Sequence, residues 1–215
     1  MSVDPVTCYD DGIRSQVRNE NAGWLLRSVD GRLCRPALAR WCGDLVPGDQ
    51  GLVDRCSGPT IDLGCGPGRI LEALTRTGIP ALGVDISAEA VRQSRARGGS
   101  ALRRDLFARL PGERRWDAVV LIDGNVGIGG DPCAVLARAR ELLRLGGRVL
   151  CEASGPGAGS RRLSMRFEKG RQTSDWFPWA VAAVDDVSDI GARVGLAVHE
   201  VWTEARRWFI ALEAI

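Results

Sequence analysis

Three glycines and a spaced series of carboxylates are the residues of this chain best suited by type and spacing to chemistry. In "TIDLGCGPGRI", Gly64, Gly66 and Gly68 interrupt an apolar run at every second position. Glycine weakens a strand or helix unless the backbone must take φ > 0 or let something approach closely. The dinucleotide fingerprint G-x-G-x-x-G is the first pattern to test. The spacing misses it by one, because the third glycine is Gly68 and position 69 is arginine. A second apolar run, "ALGVDIS", ends on Asp85, 21 residues beyond Gly64. A carboxylate there can accept hydrogen bonds from two ribose hydroxyls. Asp105, in "ALRRDLF", and Asp123, in "WDAVVLIDGN", read singly as caps or turn residues more readily than as ligand contacts.

The elements that must position these groups follow from the rhythm of the chain. From Gly58, short apolar runs alternate with amphipathic stretches. Strands are expected at 60–63, 81–85, 101–104, 118–122 and 148–152, with helices at 69–77, 88–97 and 132–143 between them. Continuously apolar strands with intervening helices imply a mainly parallel sheet covered on both faces. In such a sheet ligands sit outside the carboxyl ends of the strands, where the glycine loop falls. The tail predicts a helix at 184–193 and an antiparallel hairpin at 197–201 and 207–212. Leu163, Met165 and Phe167 alternate with polar residues, which predicts an extra strand. Upstream, a helix is expected at 36–46, with proline at its start and Pro47-Gly48 after it.

Composition sets the outer bounds. The 215 residues fit one domain, 45% are hydrophobic, and the net charge of +2 marks neither a nucleic-acid nor an anionic-membrane specialist. Of the 29 basic residues only Lys169 is lysine, so a Schiff base would have one candidate. Seven cysteines without a C-x-x-C pair, and no long apolar run, suit a reduced, cytoplasmic protein. A single histidine makes a zinc site unexpected.

"IDLGCGPGRI" resembles the first motif of the class I S-adenosylmethionine-dependent methyltransferases. Asp85, Asp105, Asp123 and the Gly-Gly turn of "LLRLGGRVLCEA" follow in the order of that family's strand ends, over roughly 58–153. The resemblance implies an α/β fold with one doubly wound, mainly parallel sheet and an antiparallel C-terminal hairpin. It implies an N-terminal cap segment at 1–56 and a Rossmann-like domain at 57–215, with an acceptor-binding insertion at 154–180. S-adenosylmethionine is the implied cofactor. Gly64, Gly66 and Gly68 would pass under its methionine part, and Asp62 would orient the loop and the ammonium. Asp85 would take the ribose, Ile86 would pack on the adenine, and Asp105 with Leu106 would read the adenine edge. Cys65 fills a position often small in the family and reads first as a packing thiol.

Methyl transfer from a sulfonium is an in-line displacement, which needs alignment and exclusion of water. A base is needed only for a nucleophile with a high pKa. The loop "DGNVGIGGDP" is the expected meeting place of cofactor and acceptor, with Asp123 and Gly124 toward the cofactor and Asn125 toward the acceptor. Asp123 and His199 are the candidate catalytic groups; His199 reads equally as a packed histidine. Tyr9 and the aromatics Trp176 and Trp179 of "WFPW" are candidate acceptor contacts, with core packing as the other reading. Asp131-Pro132 reads as a helix cap, which leaves a nucleophilic Cys133 the weaker interpretation. Arg161, Arg162, Arg166, Lys169 and Arg171 outnumber Glu168 and Asp175 within 155–175. They predict either a field for an anionic or carrier-bound acceptor or the solvated face of an edge strand. The expected function is methylation of an O, N or C nucleophile on a small molecule, as in specialised metabolism. The alternative is a non-catalytic cofactor-binding sensor or partner subunit. A nucleic-acid methyltransferase lacks its basic tail here, and no nucleic-acid or membrane partner is expected.

Overall fold

The computed structural model describes residues 2–215. Helix α1 (Pro5–Val17) is followed by two short strands, β1 (Leu25–Ser28) and β2 (Leu33–Cys34). Two short helices come next, α2 (Leu38–Cys42) and α3 (Asp49–Val53). The alternating body runs β3 (Thr60–Leu63), α4 (Arg69–Arg76), β4 (Ala81–Asp85), α5 (Ala88–Ala96), β5 (Ala101–Arg103) and β6 (Trp116–Leu121). It continues with α6 (Pro132–Leu142) and β7 (Leu143–Ala153). Three further strands, β8 (Arg161–Lys169), β9 (Gln172–Thr173) and β10 (Phe177–Val181), precede α7 (Val184–Arg193). The chain closes with β11 (Leu196–Glu204) and β12 (Arg207–Ala214).

The main sheet has the order β11-β12-β7-β6-β3-β4-β5. Strands β3 to β7 pair in parallel, and β12 joins β7 antiparallel, so the expected terminal hairpin forms the sheet edge. Alternation along the central strands explains their continuously apolar sequence. Val119 and Leu121 of β6 face α6 and α7, packing with Leu136, Ala139 and Val187. Ala118, Val120 and Ile122 face the other way, onto Leu52 of α3 and Ile70 and Leu74 of α4. Both faces are covered, so no position on these strands can be polar without a reason.

Two expectations change. The single helix at 36–46 is interrupted: α2 ends at Gly43, whose backbone is extended with ψ −166°, and a separate helix begins at Asp49. The extra strand is present, but it lies outside the main sheet. β8 sits inside a second sheet of order β10-β8-β1-β2, with β9 also paired to it. Leu26 stands opposite Phe167 and Met165 opposite Phe177, so β8 is not an edge strand. Phe167 and Trp24 of this sheet pack with Cys8 and Ile13 of α1, and Ala90 of α5 joins the same cluster. The N-terminal segment is thereby fastened between the second sheet and the body.

Candidate functional site at the carboxyl ends of the parallel strands

From β3 the chain winds outward through β4 and β5, then returns to β6 on the other side of β3. The loops after β3 and β6 therefore flank the switch in strand order, where an open parallel sheet leaves a crevice. Gly64, Gly66 and Gly68 all have positive φ, at +76°, +53° and +91°. Each also lies against a side chain. A Cβ on Gly64 would fall 2.6 Å from Asn125 Nδ2, and one on Gly68 would fall 2.4 Å from Ser94 Oγ. Asn125 Nδ2 donates to the Leu63 and Gly64 carbonyls at 3.0 and 2.8 Å, which ties the two loops together. A Cβ on Gly66 would lie 3.2 Å from the Tyr9 hydroxyl, so α1 brings Tyr9 over the glycine loop. Tyr9 packs edge-on against Trp41, and burial, with the Asp85 charge next, pushes its phenol pKa well up.

Asp85 accepts from the Gly66 and Ser87 amides at 2.9 and 2.8 Å. Burial raises its pKa and these amides oppose the rise. Ile86 and Phe107 are exposed apolar side chains beside it and beside Asp105. Asp105 accepts from the Phe107 amide at 2.9 Å, and the Leu106 carbonyl accepts from Arg138 Nε at 3.0 Å. A Cβ on Gly129 would meet the Phe107 ring at 3.3 Å, which links this loop to the one after β6. Cys65 is buried with its thiol pKa raised by burial, in keeping with a packing role.

Asp62 is the least satisfied group in the site. It is 1% exposed, and neither carboxylate oxygen has a hydrogen-bond partner among the described residues. Burial pushes its pKa up to about 7; the Arg69 charge pulls it down, and Asp123 and Asp85 push it further up. An unpaired buried carboxylate is costly and is a ready seat for a cationic ligand group.

Strand parity explains what surrounds it. Asp62, Glu152 and Arg207 fall on the face covered by α3 and α4, whose first residues are Asp49 and Arg69. Together with Arg40 and Asp123 these residues form a closed ring of alternating charge that leaves Asp62 out. Asp123 pairs with Arg69 and with Arg40, the latter at 2.6 Å. Arg69 pairs with Asp49 at 2.8 Å, and Asp49 with Arg207 at 2.7 Å. Arg207 pairs with Glu152 at 2.8 Å, and Glu152 with Arg40 at 3.1 Å. Burial works against the charges of Asp49 and Glu152, yet the arginines hold both pKa values below the ordinary range. Arg40 keeps one buried N–H, at Nε, without an acceptor.

Sequence reasoning missed Arg40, Asp49, Glu152, Arg207, Phe107 and Arg138. The candidate catalytic group Asp123 is committed to two guanidinium groups rather than standing free. His199 lies outside the cluster: it is on β11, the far edge strand, half-exposed, with Nδ1 3.5 Å from Glu213. Gly124 has φ +82° and open space around it. Trp179 reaches the site's rim, bridging to Ile128, and Gly127 packs directly on the Ala180 backbone. Trp176 does not; it stacks under Arg166 at 4.7 Å, on the face bearing Arg27 and Glu168. The expected free positive field is largely paired, Arg162 to Asp131 and Arg166 to Glu168.

Residues 61–149 match the family model of a methyltransferase domain. No curated protein matches the chain in sequence. Among solved structures, a Bacteroides fragilis S-adenosylmethionine-dependent methyltransferase, in complex with S-adenosylhomocysteine, superposes with a TM-score of 0.81 at 17% identity, covering 100% of this chain and 98% of its own. A 1,6-didemethyltoxoflavin N1-methyltransferase from Burkholderia thailandensis gives 0.59 at 14% identity, covering 77% of each chain. A sugar N-methyltransferase from Streptoalloteichus gives 0.58 at 15%, covering 82% of this chain and 86% of its own. At these identities the likeness is one of fold. Residues 61–149 thus carry a methyltransferase domain, and the architecture around them is that of the class I S-adenosylmethionine-dependent methyltransferases.

Proposed function

We propose that the protein transfers the methyl group of S-adenosylmethionine to an O, N or C nucleophile of a small-molecule acceptor. The observation that carries this reading is Asp62, a buried carboxylate with no partner beside a glycine loop that side chains could not line. That arrangement fits a ligand with an ammonium group. Asp62 would receive the ammonium, and the unspent Nε–H of Arg40 is suited to the carboxylate of the same amino-acid end. Asp85 would take the ribose with its remaining lone pairs, while Ile86 and Phe107 offer exposed apolar surface to the adenine. Asp105 and Leu106 would border the adenine edge. When bound, the cofactor supplies an electrophilic methyl group on a sulfonium.

The chain's own contribution is then alignment and exclusion of water. Segment 1–56 acts as a cap that lays Tyr9 over Gly66, and the insertion at 154–180 carries the acceptor wall through Trp179. Asp123 serves the site as a fixed anion. With Asp123 paired and His199 remote, the acceptor supplies a nucleophile that does not need a strong protein base. Specialised metabolism is the setting this reading favours, and the cytoplasm its compartment. No helix among the described residues is long and apolar enough to cross a membrane.

Two measurements test the proposal. S-adenosylhomocysteine should raise the melting temperature, since it binds the native state, and NAD should not. Incubation with methyl-labelled cofactor and a metabolite panel should give labelled products, and unlabelled cofactor should give products 14 mass units heavier. Binding without turnover on any acceptor would favour the sensor or partner-subunit reading.

A further inference from the structure

We propose that Asp49 and Asp123 are positioning residues that hold the Arg69 guanidinium off Asp62, keeping that carboxylate open for the ammonium group of the ligand. The inference rests on the cofactor reading above and concerns how the seat stays empty.

A buried carboxylate with both oxygens bare normally captures the nearest guanidinium, because a charge-assisted bidentate pair offsets the cost of desolvation. Arg69 opens α4 directly after the glycine loop that leaves Asp62, and its charge is the strongest attraction acting on the Asp62 carboxyl. Yet no Arg69 nitrogen donates to Asp62. Nε and Nη2 donate to Asp49 at 2.8 and 3.3 Å, and Nη1 donates to Asp123. These two carboxylates are held in turn from behind. Arg207 grips Asp49, Arg40 grips Asp123, and Glu152 bridges both arginines.

The count of charges makes the point independently. Three arginines and three carboxylates close the ring, so each of its cations already has two carboxylate partners, and Asp62 stands outside it. Removing the charge of Asp123 frees Arg69 Nη1 within the same buried space. Its best remaining acceptor is Asp62, and an internal cation there competes with the ligand's ammonium.

The test compares two ligands by calorimetry. S-adenosylhomocysteine carries the ammonium, whereas methylthioadenosine has the same adenosine without the amino-acid end. In Asp123→Asn the homocysteine ligand should bind about tenfold or more weakly, the worth of one charged hydrogen bond, with methylthioadenosine unchanged. Adding Arg69→Met to that variant removes the competitor and should recover most of the loss. If both ligands weaken together, or neither moves, the proposal is overturned and the ring is only a scaffold. If Asp123→Asn does not fold, Asp49→Asn reads the same competition from the other side of Arg69. Failure of the unmodified protein to bind either ligand would reject the cofactor reading itself, before any variant is compared.

Discussion

The Asp123 amide donates to Glu152 Oε2 at 2.8 Å, and this bond pins a residue whose φ is +58°. A non-glycine residue in the left-handed region is held there by its surroundings. Glu152 therefore does two jobs: it fixes the backbone where the loop leaves β6, and it joins Arg40 to Arg207 in the charge ring.

Glu152 variants separate these jobs. Glu152→Ala leaves two arginines short of a largely buried partner and should cost about 3–5 kcal/mol in urea denaturation. Glu152→Gln keeps an acceptor for the Asp123 amide but not the charge, and should fall between. Equal losses in the two variants would mean that the backbone bond contributes nothing.

The ring also shows where sequence reading stops. Strands β3 and β4 and helices α4, α5 and α6 are legible because an apolar run followed by glycine or a cap is local information. Gly64, Asp85 and Asp105 are legible for the same reason, since strand ends lie where the motif puts them. Asp49 and Arg207 meet across 158 residues, and in a chain with one lysine an arginine carries no signal by itself. β1 and β2 are equally silent: "LLRS" becomes a strand beside β8, more than 130 residues away, and "LC" pairs with β1.

The glycines differ in what they tolerate. Gly64→Ala places a Cβ 2.6 Å from Asn125 Nδ2 at φ +76°, whereas Gly124→Ala at φ +82° meets nothing within 4 Å. Gly124→Ala should cost only the left-handed strain, about 1–2 kcal/mol. Gly64→Ala should cost more and should also abolish S-adenosylhomocysteine binding, because it displaces the amide that ties the two loops. Comparable stability in the two variants would show that Asn125 yields freely.

Acidity should act through Asp62. Burial holds its pKa at about 7 in the folded chain, with Arg69 pulling it down and Asp123 and Asp85 pushing it up, against an ordinary value of 3.8. The folded state therefore binds the extra proton, so this group's contribution to stability falls as pH rises from about 4 to about 7. Ligand affinity runs the other way. An ammonium needs the ionised carboxylate, so S-adenosylhomocysteine should bind about tenfold more weakly per pH unit below 7 and level off above it. Calorimetry across pH 5.5–8.5 checks this, and Asp62→Asn should flatten the profile. A profile that persists in Asp62→Asn would assign the titration to another group.

The two faces of β8 would offer an acceptor different chemistry. Cross-strand partners share a face, so Leu163 stands with Trp179 and Met165 with Phe177, on the side where Phe167 packs toward α1. Arg162 and Arg166 alternate onto the opposite side, where Asp131 and Glu168 already pair with them. β10 lies directly against the loop after β6, through the Ile128–Trp179 bridge and the Gly127–Ala180 contact. An acceptor placed at that loop would meet Trp179, whereas Arg162 reaches only the loop's far end, already paired with Asp131. Once a substrate is in hand, Trp179→Ala should raise the acceptor KM several-fold while leaving S-adenosylhomocysteine affinity intact. Charge reversal of Arg162 and Arg166 to glutamate should leave the acceptor KM and its salt dependence as they were. A rise in KM confined to the arginine variants would instead place an anionic acceptor on the outer face.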